Sequence, residues 1–279
     1  MIKNNSEIRL GIIGAGNITR RHLEVVNAIK GISAVGITSR TKKKADVIAS
    51  EFNIGSVYTE LTDLVEKSNP DALMVLVSAE EIYSVAKKAI LCKKPLFIEK
   101  PPGFTPSQTK KLAILAKKNN VDTMVGCNRR YYSVFHKGLK IINDHGNLLG
   151  VSIEGHERFW RISERIKKTV RSNWIYANSI HTIDLLRFFG GEPKNIFSIK
   201  CSRLENEGDQ FASVMQFESG ALGNYVSHWY SPGGWSVQLF GEGVSVKFEP
   251  LEEGVWSDKN LKQHSILPEE QDIKFKGQD

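Results

Sequence analysis

What this chain lacks narrows it first. No apolar run approaches the roughly 18 residues needed to span a bilayer; the longest lies near Ala72 to Val77. The opening Met1-Ile2-Lys3-Asn4-Asn5 carries no apolar leader, so a cytoplasmic location away from membranes is expected. Cysteine is scarce. Cys92, Cys127 and Cys201 are odd in number, widely separated and without CxxC or Cys/His ligand spacing. That pattern argues against a disulfide framework or a zinc site and predicts free thiols and no bound metal. There is no internal repeat, low-complexity tract or obvious flexible linker. The formal charge is +7, yet no dense basic stripe accompanies it. Lys42 to Lys44, Lys87-Lys88, Lys93-Lys94, Lys110-Lys111, Lys117-Lys118 and Lys167-Lys168 fall in or beside successive predicted helices. Solvated helix faces account for most of them, so nucleic acid is not an expected partner, although the excess suits an anionic cofactor or substrate. With 41% hydrophobic and 25% charged residues over 279 positions, the chain has the composition of a soluble globular protein of two domains.

Ile8 to Ile13 reads as a short buried strand running into Gly14-Ala15-Gly16. A helix follows, with Leu23, Val26 and Ile29 on one face and Gly31 at its end. Next come a strand Ile32 to Thr38, helices near Thr41 to Phe52 and Thr62 to Lys67, and a strand Ala72 to Val77. A helix Glu80 to Cys92, a strand Leu96 to Ile98, a helix Pro106 to Asn119 and a strand Thr123 to Cys127 continue the alternation. Strands that are apolar throughout, separated by helices, predict a doubly wound parallel sheet of the Rossmann type. After about residue 150 the pattern changes to Val151 to Phe159, Ile196 to Arg203, Phe211 to Glu218, Ala221 to Trp229 and Ser236 to Phe240. Turn signals at Glu218-Ser219-Gly220 and Pro232-Gly233-Gly234 separate some of these, and one helix, Asn178 to Phe189, ends on Gly190-Gly191. The expected fold class is therefore α/β: a Rossmann domain over residues 1–127, then an α+β domain over 128–279 with an open, largely antiparallel sheet.

Gly14-Ala15-Gly16-Asn17-Ile18-Thr19 keeps two of the three dinucleotide-fingerprint glycines and has Thr19 in the third place. By itself this is a weak signal. A strand before it and a helix after it let backbone N–H groups at the helix start meet a pyrophosphate. About 20 residues on, where an acidic residue ordinarily binds the ribose of NAD, the chain reads Thr38-Ser39-Arg40-Thr41. A hydroxyl and an arginine without a carboxylate favour the 2′-phosphate of NADP(H), with NAD(H) as the alternative. Arg40 stacked on adenine or turned to solvent is the blander reading.

Pro95-Leu96-Phe97-Ile98-Glu99-Lys100-Pro101-Pro102 puts a lysine at the carboxyl end of a strand, the edge at which open sheets bind ligands. An Ile-Glu-Lys-Pro segment about 85 residues after a glycine turn resembles the glucose-fructose oxidoreductase and inositol dehydrogenase family, Gfo/Idh/MocA. His22, Asn128-Arg129-Arg130-Tyr131 and Ser179-Ile180-His181-Thr182-Ile183-Asp184-Leu185-Leu186 extend the resemblance over about residues 8 to 245.

The resemblance implies a dehydrogenase or reductase acting on a secondary alcohol or ketone of a sugar, cyclitol or sugar nucleotide. It implies Lys100 and His181 as the catalytic pair, Glu99 and Pro101 as structural support, and a homo-oligomer. Dinucleotide contacts are expected at Gly14, Gly16, Asn17, Ile18, Ser39, Arg40, Ser78, Glu99 and Lys100. Contacts to the substrate, which can be anionic, are expected at Lys100, Arg129, Tyr131, Asn178 and His181, with Arg130 and Trp174 as further candidates. Packing is the competing role for the residues near the domain junction. Asp184, one turn after His181, can orient it or serve neighbouring polar groups. Two departures stand out. Ala177 occupies the place where many members have an aspartate, leaving Asn178 on the face of His181. Ser78-Ala79-Glu80-Glu81-Ile82-Tyr83 replaces the family's Thr-Pro and histidine. The resemblance also predicts a truncated C-terminus, because the chain stops at Lys276-Gly277-Gln278-Asp279, where members enter a closing helix. A cofactor-retaining glycosidase or epimerase of the same fold, and a dinucleotide-binding sensor that has lost the chemistry, are the alternatives.

Overall fold

A computed structural model describes residues 7–162, 166–275 and 277. The chain divides between Cys127 and Asn128 into two compact units. The first contains β1 (Ile8–Ile13), α1 (Asn17–Ala28), β2 (Ile32–Thr38), α2 (Lys42–Glu51), β3 (Val57–Tyr58) and α3 (Leu61–Ser68). It continues with β4 (Ala72–Val75), α4 (Ala79–Ile90), β5 (Leu96–Ile98), α5 (Pro106–Asn119) and β6 (Thr123–Val125). All six strands are parallel, in the order β3-β2-β1-β4-β5-β6. Winding reverses between β1 and β4, which opens a crevice beyond the carboxyl ends of these two strands.

Alternation along the strands sends apolar side chains to both faces, each covered by helices. Ile12, Met74 and Leu76 pack with Leu23 and Val26 of α1 and Ile48 of α2. Ile13, Val75 and Ile98 pack with Leu64 of α3, Ile82 and Ala86 of α4 and Leu112 of α5. A sheet enclosed in this way needs no polar face, which is why its strands read as mostly apolar runs without polar alternation. The two-residue edge strand β3 adds to the strands expected from the sequence.

The second unit contains a 3-10 turn (Asn128–Tyr131), α6 (Ser133–His145), β7 (Leu148–Gly155), a 3-10 turn (Phe159–Arg161), α7 (Lys168–Ser172), α8 (Trp174–Ala177) and α9 (Ile180–Gly190). Then follow β8 (Pro193–Cys201), β9 (Gln210–Phe217), β10 (Leu222–His228), β11 (Trp235–Gly241), β12 (Val244–Phe248), β13 (Gly254–Asp258), β14 (Gln263–Ile266) and α10 (Glu270–Phe275). Their sheet runs β14-β13-β12-β11-β7-β10-β9-β8, and every neighbouring pair is antiparallel except β7 with β10. Helices α6 and α9 cover one face, where Phe135, Leu185 and Phe189 join Ile153, Tyr225, Val237 and Phe248 in one core.

Two expectations are corrected here. The helix expected to begin at Asn178 begins at Ile180, after a break at Asn178 (φ −131°, ψ −51°), so Asn178 does not share a helix face with His181. The strand expected to run to Phe159 stops at Gly155, and Phe159 lies in a 3-10 turn. Among the described residues, no helix is long and apolar enough to cross a membrane.

Candidate functional site

In the first unit, parallel strands bring several separate chain segments to one edge. Gly14 to Ile18 follow β1, Ser39 and Arg40 follow β2, Ser78 lies beyond β4, and Glu99 and Lys100 follow β5. The glycine turn is held firmly. Gly14 has φ +118° and donates its N–H to the Thr38 carbonyl at 2.8 Å. The buried Thr19 hydroxyl donates to the Gly14 carbonyl (3.2 Å), lies 3.4 Å from the Leu76 carbonyl, and accepts the Gly16 N–H (3.2 Å). Threonine in the third fingerprint place thus ties the turn both to its own helix and to the end of β4.

The two glycines differ in what surrounds them. A Cβ on Gly14 would lie 2.3 Å from the Leu76 carbonyl oxygen, whereas one on Gly16 would meet no protein atom within 4 Å. Gly16 leaves open space beside the start of α1, whose first-turn N–H groups have no intrahelical acceptor. A dinucleotide pyrophosphate fits a cradle of this kind: Gly14 and Gly16 shape it, their own N–H groups being bonded to Thr38 and Thr19, and the first-turn N–H groups of Asn17 and Ile18 border the open space.

Ser39 accepts the Thr41 N–H on its hydroxyl (3.2 Å). Arg40, with 83% of its side chain exposed, pairs with Glu81 of α4 at 3.4 Å. Ser78 is the residue before α4, and its side chain does not cap the helix. Glu99 is 7% exposed, and its Oε2 lies 3.0 Å from Nε2 of the equally buried His22, whose ring meets Phe97 edge-on. That bond turns the Glu99 carboxylate under the sheet edge, leaving the half-buried Lys100 next in sequence at the edge itself.

In the second unit, the residues after Cys127 wrap onto α9. Both guanidinium nitrogens Nε and Nη2 of Arg130 donate to the carboxylate of Asp184 at 2.5 Å, which assigns Asp184 to this pair. Arg129 packs between the rings of Tyr132 and Trp235 and donates to Glu252 at 3.3 Å. Burial lowers its pKa, and Glu252 works against that shift. The Arg129 Nε is buried without a hydrogen-bond partner, and the side chain lines a cavity of about 610 Å³. Trp235, His156, Glu157 and Arg158 line the same cavity. His181, 6% exposed, lies in the first turn of α9, with its ring centroid 6.1 Å from that of Trp235. Its backbone N–H donates to the Asn178 carbonyl at 3.2 Å. The Asn178 amide donates in turn to Glu157 at 2.8 Å. Tyr131 is exposed and takes no part in lining the cavity.

Lys100 therefore belongs to the first unit, and Arg129, Asn178 and His181 to the second. Residues 8–127 match the Gfo/Idh/MocA oxidoreductase family, NAD-binding Rossmann fold, and residues 144–247 match the C-terminal domain of the same family. The chain belongs to the Gfo/Idh/MocA family. Among its relatives, the myo-inositol 2-dehydrogenase of Thermotoga maritima is 25% identical over 230 residues, 77% of this chain and 67% of the relative. An NAD-binding oxidoreductase from Klebsiella pneumoniae has a similar structure (TM-score 0.83, 18% identity, covering 98% of this chain and 82% of the other). So does levoglucosan dehydrogenase in complex with NADH and levoglucosan (TM-score 0.80, 17% identity, 93% and 80%). The chain spans about two thirds of the length of the curated relatives it matches.

Sequence reasoning passed over three residues that this family member uses structurally at the site. Glu157 lies in a segment that reads as strand and Trp235 between the Pro232-Gly233-Gly234 turn signal and the strand expected at Ser236, where a lone polar or aromatic residue carries no distinguishing spacing. Glu81 was noted only for departing from the family pattern, because its proximity to Arg40 depends on β2 and β4 lying on either side of β1.

Proposed function

We propose that this chain is an oxidoreductase moving a hydride between a nicotinamide dinucleotide and a secondary alcohol or ketone of a sugar, cyclitol or sugar nucleotide, in the cytoplasm. One observation carries the reading: the glycine turn, Ser39-Arg40, Ser78 and Lys100 share the carboxyl edge of a single parallel sheet. When bound, the dinucleotide supplies the hydride chemistry. The remaining tasks fall to this chain. Lys100 stabilises negative charge developing on the substrate oxygen with its ammonium, and His181 exchanges the proton there as general acid or base. The buried, unpartnered Nε of Arg129 is satisfied by a polar or anionic atom of the substrate. Asn178 and Tyr131 contribute further polar contacts. The names of the relatives, a myo-inositol 2-dehydrogenase and a levoglucosan dehydrogenase, suit a polyhydroxyl substrate of this class.

NADP(H) is the favoured dinucleotide and NAD(H) the alternative. Arg40 and Glu81 form an exposed pair, worth at most about 1 kcal/mol, so a 2′-phosphate competes successfully for the arginine. The second unit also supports a homo-oligomer. The sheet face away from α6 and α9 exposes Phe197, Val214, Leu222 and Phe240, an apolar surface suited to a second copy of the chain.

The test is turnover on a panel of inositols, hexoses and sugar nucleotides with NADPH, NADP⁺, NADH and NAD⁺. On the best substrate, Lys100→Met lowers turnover by more than about 100-fold and His181→Ala by about 100-fold, with dinucleotide affinity little changed. Near-wild-type turnover in both variants refutes the assignment.

A further inference from the structure

We infer that Glu157 is a positioning residue for His181, acting through the turn that leads into α9. The inference rests on the reading of His181 as the proton-exchanging group. Glu157 is 5% exposed and stands just beyond the end of β7. The chain around it is anchored on both sides. The N–H of His156 donates to the Gly234 carbonyl (3.3 Å), and the N–H of Phe159 donates to the Trp229 carbonyl (3.0 Å). From this fixed base the carboxylate reaches the two residues ahead of the helix. Its Oε1 accepts the Ser179 hydroxyl at 2.7 Å, and its Oε2 accepts the Asn178 amide at 2.8 Å.

One contact passes to His181 itself and the other to the residues that follow it in the first turn of α9. The Asn178 carbonyl accepts the His181 N–H, so the residue whose side chain Glu157 holds also holds the histidine backbone. Ser179 occupies the N-cap of α9, where a serine ordinarily turns its oxygen to the first free N–H groups of its helix. Here the side chain makes no capping bond, and its proton goes to Glu157 instead. The serine is thereby diverted from stabilising the helix to fixing its direction. The same turn reaches deeper through Thr182, whose hydroxyl donates to the Ser179 carbonyl at 2.9 Å and lies 3.4 Å from the Tyr225 hydroxyl. Burial raises the Tyr225 pKa, hydrogen bonds from Thr182 and Ser227 oppose this, and the Glu157 charge adds to the rise.

Shape alone does not require a carboxylate at this position. A glutamine oxygen accepts the Ser179 proton equally well, and a flipped Asn178 amide accommodates its NH₂. Burying a carboxylate is costly. What the charge adds is stiffness, because hydrogen bonds to an ionised acceptor are shorter and about twice as strong as neutral ones. A histidine that exchanges a proton at a defined substrate atom needs that stiffness, since small misplacements cost large factors in rate.

The experiment compares wild type, Glu157→Gln, Ser179→Ala, the double variant Glu157→Gln/Ser179→Ala and His181→Ala. Turnover is measured on the best substrate of the panel above, together with thermal unfolding and spectra of ¹⁵N-histidine-labelled protein. We expect Glu157→Gln to stay folded, to lose about 10- to 100-fold in kcat with KM changed less than about threefold, and to shift the His181 ring signals. Ser179→Ala, which removes one of the two groups held by the carboxylate, loses less kcat than Glu157→Gln, and the double variant loses no more than about threefold beyond Glu157→Gln, because both act through one contact. Wild-type kcat in Glu157→Gln, alongside loss in His181→Ala, overturns this inference and leaves the proposed function standing. So do independent, multiplying losses in Glu157→Gln and Ser179→Ala, or a loss that merely follows a drop in thermal stability. If His181→Ala is itself fully active, it is the proposed function that fails.

Discussion

The two glycines of the turn after β1 predict opposite phenotypes for the same substitution. Gly14→Ala places a methyl 2.3 Å from the Leu76 carbonyl oxygen and 2.7 Å from its carbon, at a backbone φ of +118°. The neighbour is backbone in the centre of the sheet, so no side-chain rotation relieves the overlap. Strain at such a φ costs about 1–3 kcal/mol, and moving the strand end adds to it, so the loss is about 3–4 kcal/mol. For a folding unit of this size each kcal/mol lowers the melting temperature by about 3–5 °C, giving a drop of roughly 10–20 °C. Gly16→Ala meets nothing within 4 Å, at φ −98° and ψ −177°, which alanine adopts freely. Its N-cap penalty and the lost entropy of the unfolded chain nearly cancel, leaving stability within about 1 kcal/mol of wild type. The new methyl projects instead into the space assigned to the pyrophosphate, which should weaken NADH and NADPH by at least about 10-fold, or 1.4 kcal/mol. Thermal unfolding by circular dichroism and fluorescence titration with both dinucleotides measure the two effects. A Gly16→Ala protein that binds within threefold of wild type, or melts as early as Gly14→Ala, would refute the reasoning.

The other expectations concern charges. Arg40→Ala should lower NADPH affinity by about 10-fold or more while leaving NADH nearly unchanged, and Glu81→Gln should strengthen NADPH binding by freeing the arginine; equal effects on the two dinucleotides would contradict both. His22→Ala strands the Glu99 carboxylate beneath the sheet edge and should cost about 3 kcal/mol in urea unfolding, with His22→Gln recovering part of it; an unchanged midpoint would show that the buried pair contributes nothing. Desolvation pushes the Asp209 pKa up, but the N–H groups of Leu204, Glu205 and Arg203 outweigh it and hold the pKa below the ordinary value. Because the folded-state pKa is depressed, the carboxylate stabilises fully above the unfolded value of about 4, and that contribution fades as pH falls below it. The stability gap between wild type and Asp209→Asn should therefore be largest at neutral pH and shrink on acidification, and a constant gap would exclude this origin.

Much of the first unit was legible because local signals and global fold agree there. Strands enclosed on both faces must be apolar throughout, and helices lying on that sheet must carry one apolar stripe, so Ile8 to Ile13 or Ala72 to Val75 announce themselves. Edge strand β3, only two residues long, offers no periodicity to read. Helix α6 is not among the helices expected from the sequence. Gly138 interrupts its pattern, yet a Cβ there would lie 2.5 Å from the Phe248 ring, so the glycine serves helix-to-sheet packing. Strands β12 to β14 are only four or five residues long, and β12 alternates buried with less buried residues, so they give little periodicity to read.

The sequence by itself determined the alternation of the longer strands and helices in the first unit, the glycine turn, the absence of a carboxylate after β2, and Lys100 at a strand end. Each is a property of a few adjacent residues whose backbone preferences and polarity act locally. Only the tertiary structure decided which distant groups meet: His22 with Glu99, Arg40 with Glu81, Arg130 with Asp184, and Glu157 with Asn178 and Ser179. A buried or paired charge finds its partner across tens of residues, through strand order and helix packing. Those are set by the burial of the whole core, not by any spacing along the chain.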